Sequence, residues 1–186
     1  MRLGLIAAAV LAASILAACG SSDTTSPAPD YDAALEQAPP ALADLYANGD
    51  ELITGGEDAF DETLESVRGY PAVVNNWASW CGPCRTEFPW FQKAAAEHLD
   101  EVAFFGINTE DSPDAYETFL RDNPVPYPSV EDPDKEMADW TGANLVGGLP
   151  NTFFYDRDGE LVYTHQGPYT DEAALDADIE KYALSG

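Results

Sequence analysis

The 186-residue chain has little positive charge: 8 Lys and Arg stand against 34 Asp and Glu, a formal net charge of -26. A phosphate backbone needs clustered Lys and Arg to displace its counterions. Here the basic residues past the amino terminus (Arg68, Arg85, Lys93, Arg121, Lys135, Arg157 and Lys181) are scattered, which excludes nucleic acid as a partner. Solubility or a salty habitat accounts for the acidity better than specific steering does, and a complementary partner is neutral or basic. Histidine and cysteine are also scarce, at 2 and 3 residues. Beyond the close pair Cys81 and Cys84, only Cys19, His98 and His165 remain, at distances unsuited to a four-ligand zinc site, so no metal is expected. No apolar run reaches the roughly 20 residues of a permanent membrane span, and no internal repeat is visible. Apolar residues themselves are plentiful. With 45% hydrophobic and 11% aromatic content the chain is not wholly disordered, and its length suits one core rather than two.

The longest run of small and apolar residues spans 3–18, after a single basic residue, Arg2. That is a signal-peptide pattern. Its end, Leu16-Ala17-Ala18-Cys19-Gly20, resembles the lipobox of bacterial lipoproteins, which implies that Cys19 receives the lipid and becomes the new amino terminus. Ordinary secretory cleavage near Cys19 and an uncleaved short anchor are the alternatives. Loss of residues 1–18 removes Arg2 and no acid, leaving 7 basic against 34 acidic residues. Residues 19–40 then read as a flexible tether, rich in Ser, Thr, Asp and Ala with four prolines and no apolar periodicity.

A globular pattern begins near Ala41. Residues 41–47 are weakly helical; Phe60, Leu64 and Val67 mark one face of a short helix ended by Gly69. Residues 71–77 read as a buried strand, 81–99 as a helix, 101–108 as a second strand, and Ser112-Pro113 opens another helix. Residues 123–133 read as a Pro-rich connection and 134–141 as a short helical turn. Residues 152–155 and 160–164 form a hairpin around Asp158-Gly159, and 171–183 a closing helix. This order predicts an α/β fold with a mixed central sheet covered by helices.

The chemistry sits in Trp80-Cys81-Gly82-Pro83-Cys84, at the seam between the buried strand and the helix. A sulfur at a helix start meets unpaired backbone N–H groups and the positive end of the helix dipole, both of which favour thiolate. Cys81 is therefore the candidate nucleophile. Cys84 shares an apolar stripe with Phe88, Phe91, Ala95 and Leu99 and is expected to point inward, which suits a resolving role. Pro83 costs the first turn nothing. A purely structural disulfide across so short a loop would remove little unfolded-state entropy, so the pair reads as redox-active. Trp80 is expected to shield the active sulfur. His98 and His165 read as surface or boundary residues.

This string, its preceding strand and the later Gly147-Gly148-Leu149-Pro150-Asn151-Thr152-Phe153 resemble the thioredoxin superfamily. Val73-Val74-Asn75, Ala78-Ser79-Trp80-Cys81, Cys84-Arg85-Thr86-Glu87-Phe88-Pro89 and Val125-Pro126-Tyr127-Pro128 are most similar to its TlpA/ResA-like, membrane-anchored thiol-disulfide oxidoreductases. The resemblance covers residues 58–184 and implies a thioredoxin-like domain over 41–186. It implies that Cys81 attacks a substrate disulfide, that Cys84 resolves the mixed disulfide, and that Pro150 is a cis-proline opposite the pair. Trp80, Gly82, Pro83 and Leu149 then contact substrate. It further implies an extracytoplasmic reductant, anchored to the cell membrane as a lipoprotein. Its partners would be exported protein or peptide disulfides and thiols such as apocytochromes c in cytochrome c biogenesis. A membrane thiol-transfer protein would supply electrons, and no cofactor would be needed beyond the Cys81–Cys84 disulfide.

Two positions depart from thioredoxins proper. Asn75 stands where they carry a buried aspartate, and Asn76 where an aromatic is usual. The resemblance points to Glu87 as the replacement acid; on geometry alone Glu87 is equally an exposed acid facing the helix dipole. The Gly82-Pro83 dipeptide matches thioredoxin, whose potential near -270 mV is reducing, but surroundings shift such values widely and the direction of exchange stays open. An oxidant of secreted proteins and a non-enzymatic peptide-binding lipoprotein are the alternatives. A peroxiredoxin-type peroxidase is disfavoured, since neither cysteine lies in a Pro-x-x-x-Thr-x-x-Cys pocket.

Overall fold

The structure, a computed structural model, describes residues 29–185. The signal peptide, Cys19 and the first part of the tether lie outside these residues. Six strands form one sheet: β1 (Leu52–Ile53), β2 (Ala72–Trp77), β3 (Ala103–Thr109), β4 (Ser129–Asp132), β5 (Asn151–Tyr155) and β6 (Leu161–Gln166), in spatial order β1-β4-β3-β2-β5-β6. Strands β2 and β3 are parallel, whereas β5 runs antiparallel to β2 and to β6, so the sheet is mixed as expected. Central strands covered on both faces by helices read as continuous apolar runs rather than alternating ones. Every residue of β2, β3 and β5 is buried.

The helices are α1 (Asp32–Leu35), α2 (Pro40–Tyr46), α3 (Gly56–Ser66), α4 (Gly82–His98), α5 (Pro113–Asp122), α6 (Met137–Trp140) and α7 (Glu172–Ile179), the last followed by a π-helical turn over Glu180–Leu184. Caps set their starts: the Ser112 hydroxyl accepts from the Ala115 N–H, and the Asp171 carboxylate from the Ala174 N–H. In α4, Cys84, Phe88, Phe91 and Ala95 are buried with Leu99 just beyond, which is the anticipated stripe. Phe88 meets Trp77 and Phe119 edge-on at 4.8 Å in each case, so α4 and α5 lock onto the end of β2 that leads into Cys81.

Three features differ from the sequence reading. Residues 123–133 are not all connection: Ser129–Asp132 is a strand paired in parallel to β3 and β1. Pro128, Pro133 and two acidic residues disguise it, while β3 supplies the pairing that makes it a strand. The two-residue β1 has too short a pattern to be seen. The folded body also begins before Ala41. Tyr31, Ala34, Leu35 and Ala38 pack on the core, the Tyr31 hydroxyl donates to the Pro124 carbonyl at 3.3 Å, and α1 contacts α4. This part of the expected tether therefore belongs to the domain, because its few apolar residues find partners from distant segments.

Candidate active site

The loop from β2 into α4 is fixed from outside. The carboxylate of Asp111 accepts the Ser79 N–H at 2.6 Å, the Ser79 hydroxyl at 2.7 Å and the Asn108 amide at 3.2 Å. The Trp80 indole N–H donates to the Glu110 carbonyl at 3.0 Å, and Arg85 to the Ser79 carbonyl at 3.2 Å. The bonds to the Asp111 carboxylate and from the Arg85 guanidinium are charge-assisted, the stronger class, and with the neutral Trp80 bond they hold the residues before Cys81 in place.

Cys81 occupies the N-cap of α4, and the Cys84 N–H points to its sulfur at 3.2 Å. The two sulfurs form a disulfide. On reduction, this N–H and the helix dipole stabilise a thiolate on Cys81 over one on Cys84. Cys81 is 5% exposed and Cys84 1%, with Gly82 and Pro83 exposed between them. The less buried residue of the pair is thus also the electrostatically favoured one.

Glu87 lies three residues beyond Cys84 on the same helix and is 1% exposed. The alternative of an exposed acid on the helix dipole is therefore incorrect. One carboxylate oxygen accepts the Tyr169 N–H; the other is buried without a hydrogen-bond partner. Burial raises its pKa to about 7, against a smaller lowering by the Tyr169 N–H. A carboxyl titrating near neutrality, one turn from a buried thiol, is suited to exchanging its proton. Asn75, at the aspartate position of thioredoxins proper, is buried with its side-chain oxygen unpartnered and does not titrate.

The Leu149-Pro150 bond is cis. The β2–β5 register pairs Asn76 with Asn151, so Pro150 sits at the end of the sheet from which the chain leaves β2 toward Cys81. Trp80 and Leu149 line one cleft of about 290 Å³ together with Asn76, Thr109, Met137 and Leu145. Trp80 is 57% exposed, so much of its surface stays open to solvent at this cleft. Asn76 has a structural explanation: its side-chain oxygen lies 2.7 Å from the Thr109 hydroxyl, which is 3.0 Å from buried Asp132. An aromatic there would break this polar chain at the cleft floor.

Two contributors escaped the sequence reading. Asp111 is one of 34 acids, and its role depends on a turn placing it 32 residues away, beside Ser79. Tyr169 reaches Glu87 through a backbone N–H, which no side-chain pattern encodes. Among the described residues no cluster of His, Cys, Asp and Glu is arranged to hold a metal, and no helix is long and apolar enough to cross a membrane.

A mixed sheet with a cysteine pair at the start of the helix after β2, and a cis-proline at the same sheet end, defines a thiol-disulfide oxidoreductase of thioredoxin type. Residues 52–164 match the AhpC/TSA family, and the chain belongs to it. It is 34% identical to the thiol:disulfide interchange protein HelX of Rhodobacter capsulatus over 136 residues, 72% of this chain and 73% of that one. It is 29% identical to the thiol-disulfide oxidoreductase ResA of Bacillus subtilis over 139 residues, 69% and 76% of the two chains. Among solved structures, a secreted thiol-disulfide isomerase from Corynebacterium glutamicum superposes with a TM-score of 0.55 at 26% identity, covering 65% of this chain and 72% of that chain.

Proposed function

We propose that this oxidoreductase is a lipid-anchored, extracytoplasmic reductant of disulfides in exported proteins, apocytochromes c among them. The observation that carries the reading is the Cys81–Cys84 disulfide at the start of α4, with the Cys84 N–H aimed at the Cys81 sulfur. In the reduced protein the Cys81 thiolate attacks a substrate disulfide; a Cys81–substrate S–S bond forms and one substrate sulfur leaves as thiolate. Glu87 then accepts the proton of the Cys84 thiol. The Cys84 thiolate attacks Cys81, the intramolecular disulfide forms and the second substrate sulfur is released. The substrate gains two electrons and the cysteine pair loses two, which a membrane thiol-transfer donor restores. The disulfide is the only redox group required.

Pro150, lacking an N–H, presents its loop to the substrate backbone beside the sulfurs, and Trp80, Gly82, Pro83 and Leu149 flank the bound chain. The relatives named for thiol-disulfide interchange and the secreted structural relative support the reaction and the location. Leu16-Ala17-Ala18-Cys19 supports the anchor.

The test is trapping in cells. With Cys84→Ser, exported cysteine proteins should accumulate as mixed disulfides on Cys81 in the membrane fraction, and their unmodified forms should become more oxidised when the chain is deleted. Substrates that become more reduced on deletion would make the chain an oxidant. No trapped protein at all would favour a non-enzymatic binding role.

A further inference from the structure

A three-residue strap over residues 167–169, between β6 and α7, touches two parts of the site at once. The Gly167 N–H donates to the carbonyl of Pro150 at 3.0 Å, and the Tyr169 N–H donates to Glu87. Gly167 has φ +83, a conformation that side chains disfavour, so the strap turns sharply between these contacts. The Tyr169 side chain is what fixes its far end. Its ring stacks on the imidazole of His165, centroids 3.7 Å apart and planes within 15°, and its hydroxyl donates to Asp178 at 3.1 Å. Nδ1 of His165 lies 3.2 Å from the same Asp178 oxygen. His165 is held in β6 by pairing with Thr152, two residues past Pro150. Strand β6, helix α7 and the strap therefore converge on Tyr169.

We propose that Tyr169, His165 and Asp178 are positioning residues: they pin the strap so that its N–H occupies one oxygen of Glu87 and reserves the other for the proton of Cys84. The inference rests on the reading of Glu87 as proton acceptor. Its second oxygen, buried without a partner, fits a site that takes up a proton rather than one that holds a permanent charge. The groups around the clamp are few. Tyr169 is shifted upward first by burial and then by Asp178, Tyr163 and Glu87, while Glu87 is shifted upward by burial against the Tyr169 N–H. A donated N–H stabilises the carboxylate, so loosening the strap makes Glu87 hold its proton to higher pH.

The experiment follows the Glu87 carboxyl carbon by 13C NMR titration in the full protein, alongside the pH profile of disulfide exchange. In His165→Ala and Asp178→Ala the titration midpoint should rise by about one unit, as expected for loss of a hydrogen bond to a charged group. His165→Phe, which retains a ring for stacking, should restore it. Asp178→Ala separates positioning from charge, because removal of a nearby negative charge alone would move the midpoint down. Unmoved or lowered midpoints in folded variants overturn the clamp. Tyr169→Phe keeps the stack and serves where a truncation does not fold; a midpoint between wild type and His165→Ala supports the clamp, and a wild-type midpoint together with an unmoved Asp178→Ala refutes it. Glu87→Gln keeps the two readings apart. A wild-type pH profile in that variant refutes Glu87 as proton acceptor, whereas a flattened profile with unmoved midpoints in the strap variants refutes only the clamp.

Discussion

At the scale of the residue, Glu87 links burial to both pH dependence and stability. The folded chain holds its proton up to about pH 7, whereas the unfolded chain releases it near 4.5. Between those values the folded state binds more protons, so the group's contribution to stability falls as pH rises. Glu87→Gln should match wild type below pH 4.5 and be the more stable above pH 7, by about 3 kcal/mol at most, as read from denaturant unfolding at pH 4 and pH 8. Exchange by wild type should rise through about pH 7 as the carboxylate becomes able to accept a proton, and the Gln variant should lose that rise. Gly106 tests packing instead of charge. A Cβ there would collide with the Ser129 hydroxyl and lie 2.9 Å from the Trp77 indole nitrogen, which are themselves hydrogen-bonded at 3.2 Å. Gly106→Ala should lower stability by about 1–3 kcal/mol, measured as a fall in the urea midpoint at unchanged m-value. Neither the burial of Glu87 nor the demand for Gly106 follows from local sequence. Glu87 flanks the apolar stripe and is covered by a residue 82 positions later, and Gly106 is constrained by a neighbouring strand.

At the scale of the element, legibility follows how much of a segment's structure is determined within it. Strand β2 is a continuous buried run and α4 carries an i, i+4, i+7 stripe started by Pro83, so both were readable with their junction, and the cysteine pair with them. Strand β4 was not, because four residues between prolines become a strand only through pairing with β3. Nor was the docking of α1 and α2, whose few apolar residues find their partners far along the chain. In α2, Tyr46 shows how firmly that segment is attached: its hydroxyl donates to the Val102 carbonyl at 2.5 Å and accepts the Phe104 N–H at 3.0 Å. Tyr46→Phe leaves both backbone groups buried and unpaired. The loss should be about 1–3 kcal/mol in thermal or urea unfolding, with the exchange rate per folded molecule unchanged, since the contact lies at the start of β3 rather than near the sulfurs.

At the scale of the whole molecule, an acidic chain of net charge -26 carries a thioredoxin-type redox site, and the membrane attachment proposed above depends on the leader that ends at Cys19. If the Leu16-Ala17-Ala18-Cys19 segment is processed as a lipobox, mass spectrometry of the mature protein should find a chain beginning at a diacylglyceryl-modified Cys19, recovered in the membrane fraction. Several buried acyl chains, at about 0.8 kcal/mol per CH₂, make that anchoring stable. An unmodified Cys19 in the soluble fraction would refute it. The central claim is the division of labour between the two sulfurs. Its most direct test is mass spectrometry of the reduced chain reacting with a disulfide-bonded peptide, in wild type, Cys84→Ser and Cys81→Ser. Wild type should turn over without accumulating an adduct, Cys84→Ser should stall as a Cys81–peptide mixed disulfide, and Cys81→Ser should react at a small fraction of that rate. An adduct forming on Cys84 of Cys81→Ser as fast as on Cys81 of Cys84→Ser, or no exchange by wild type, would contradict the account.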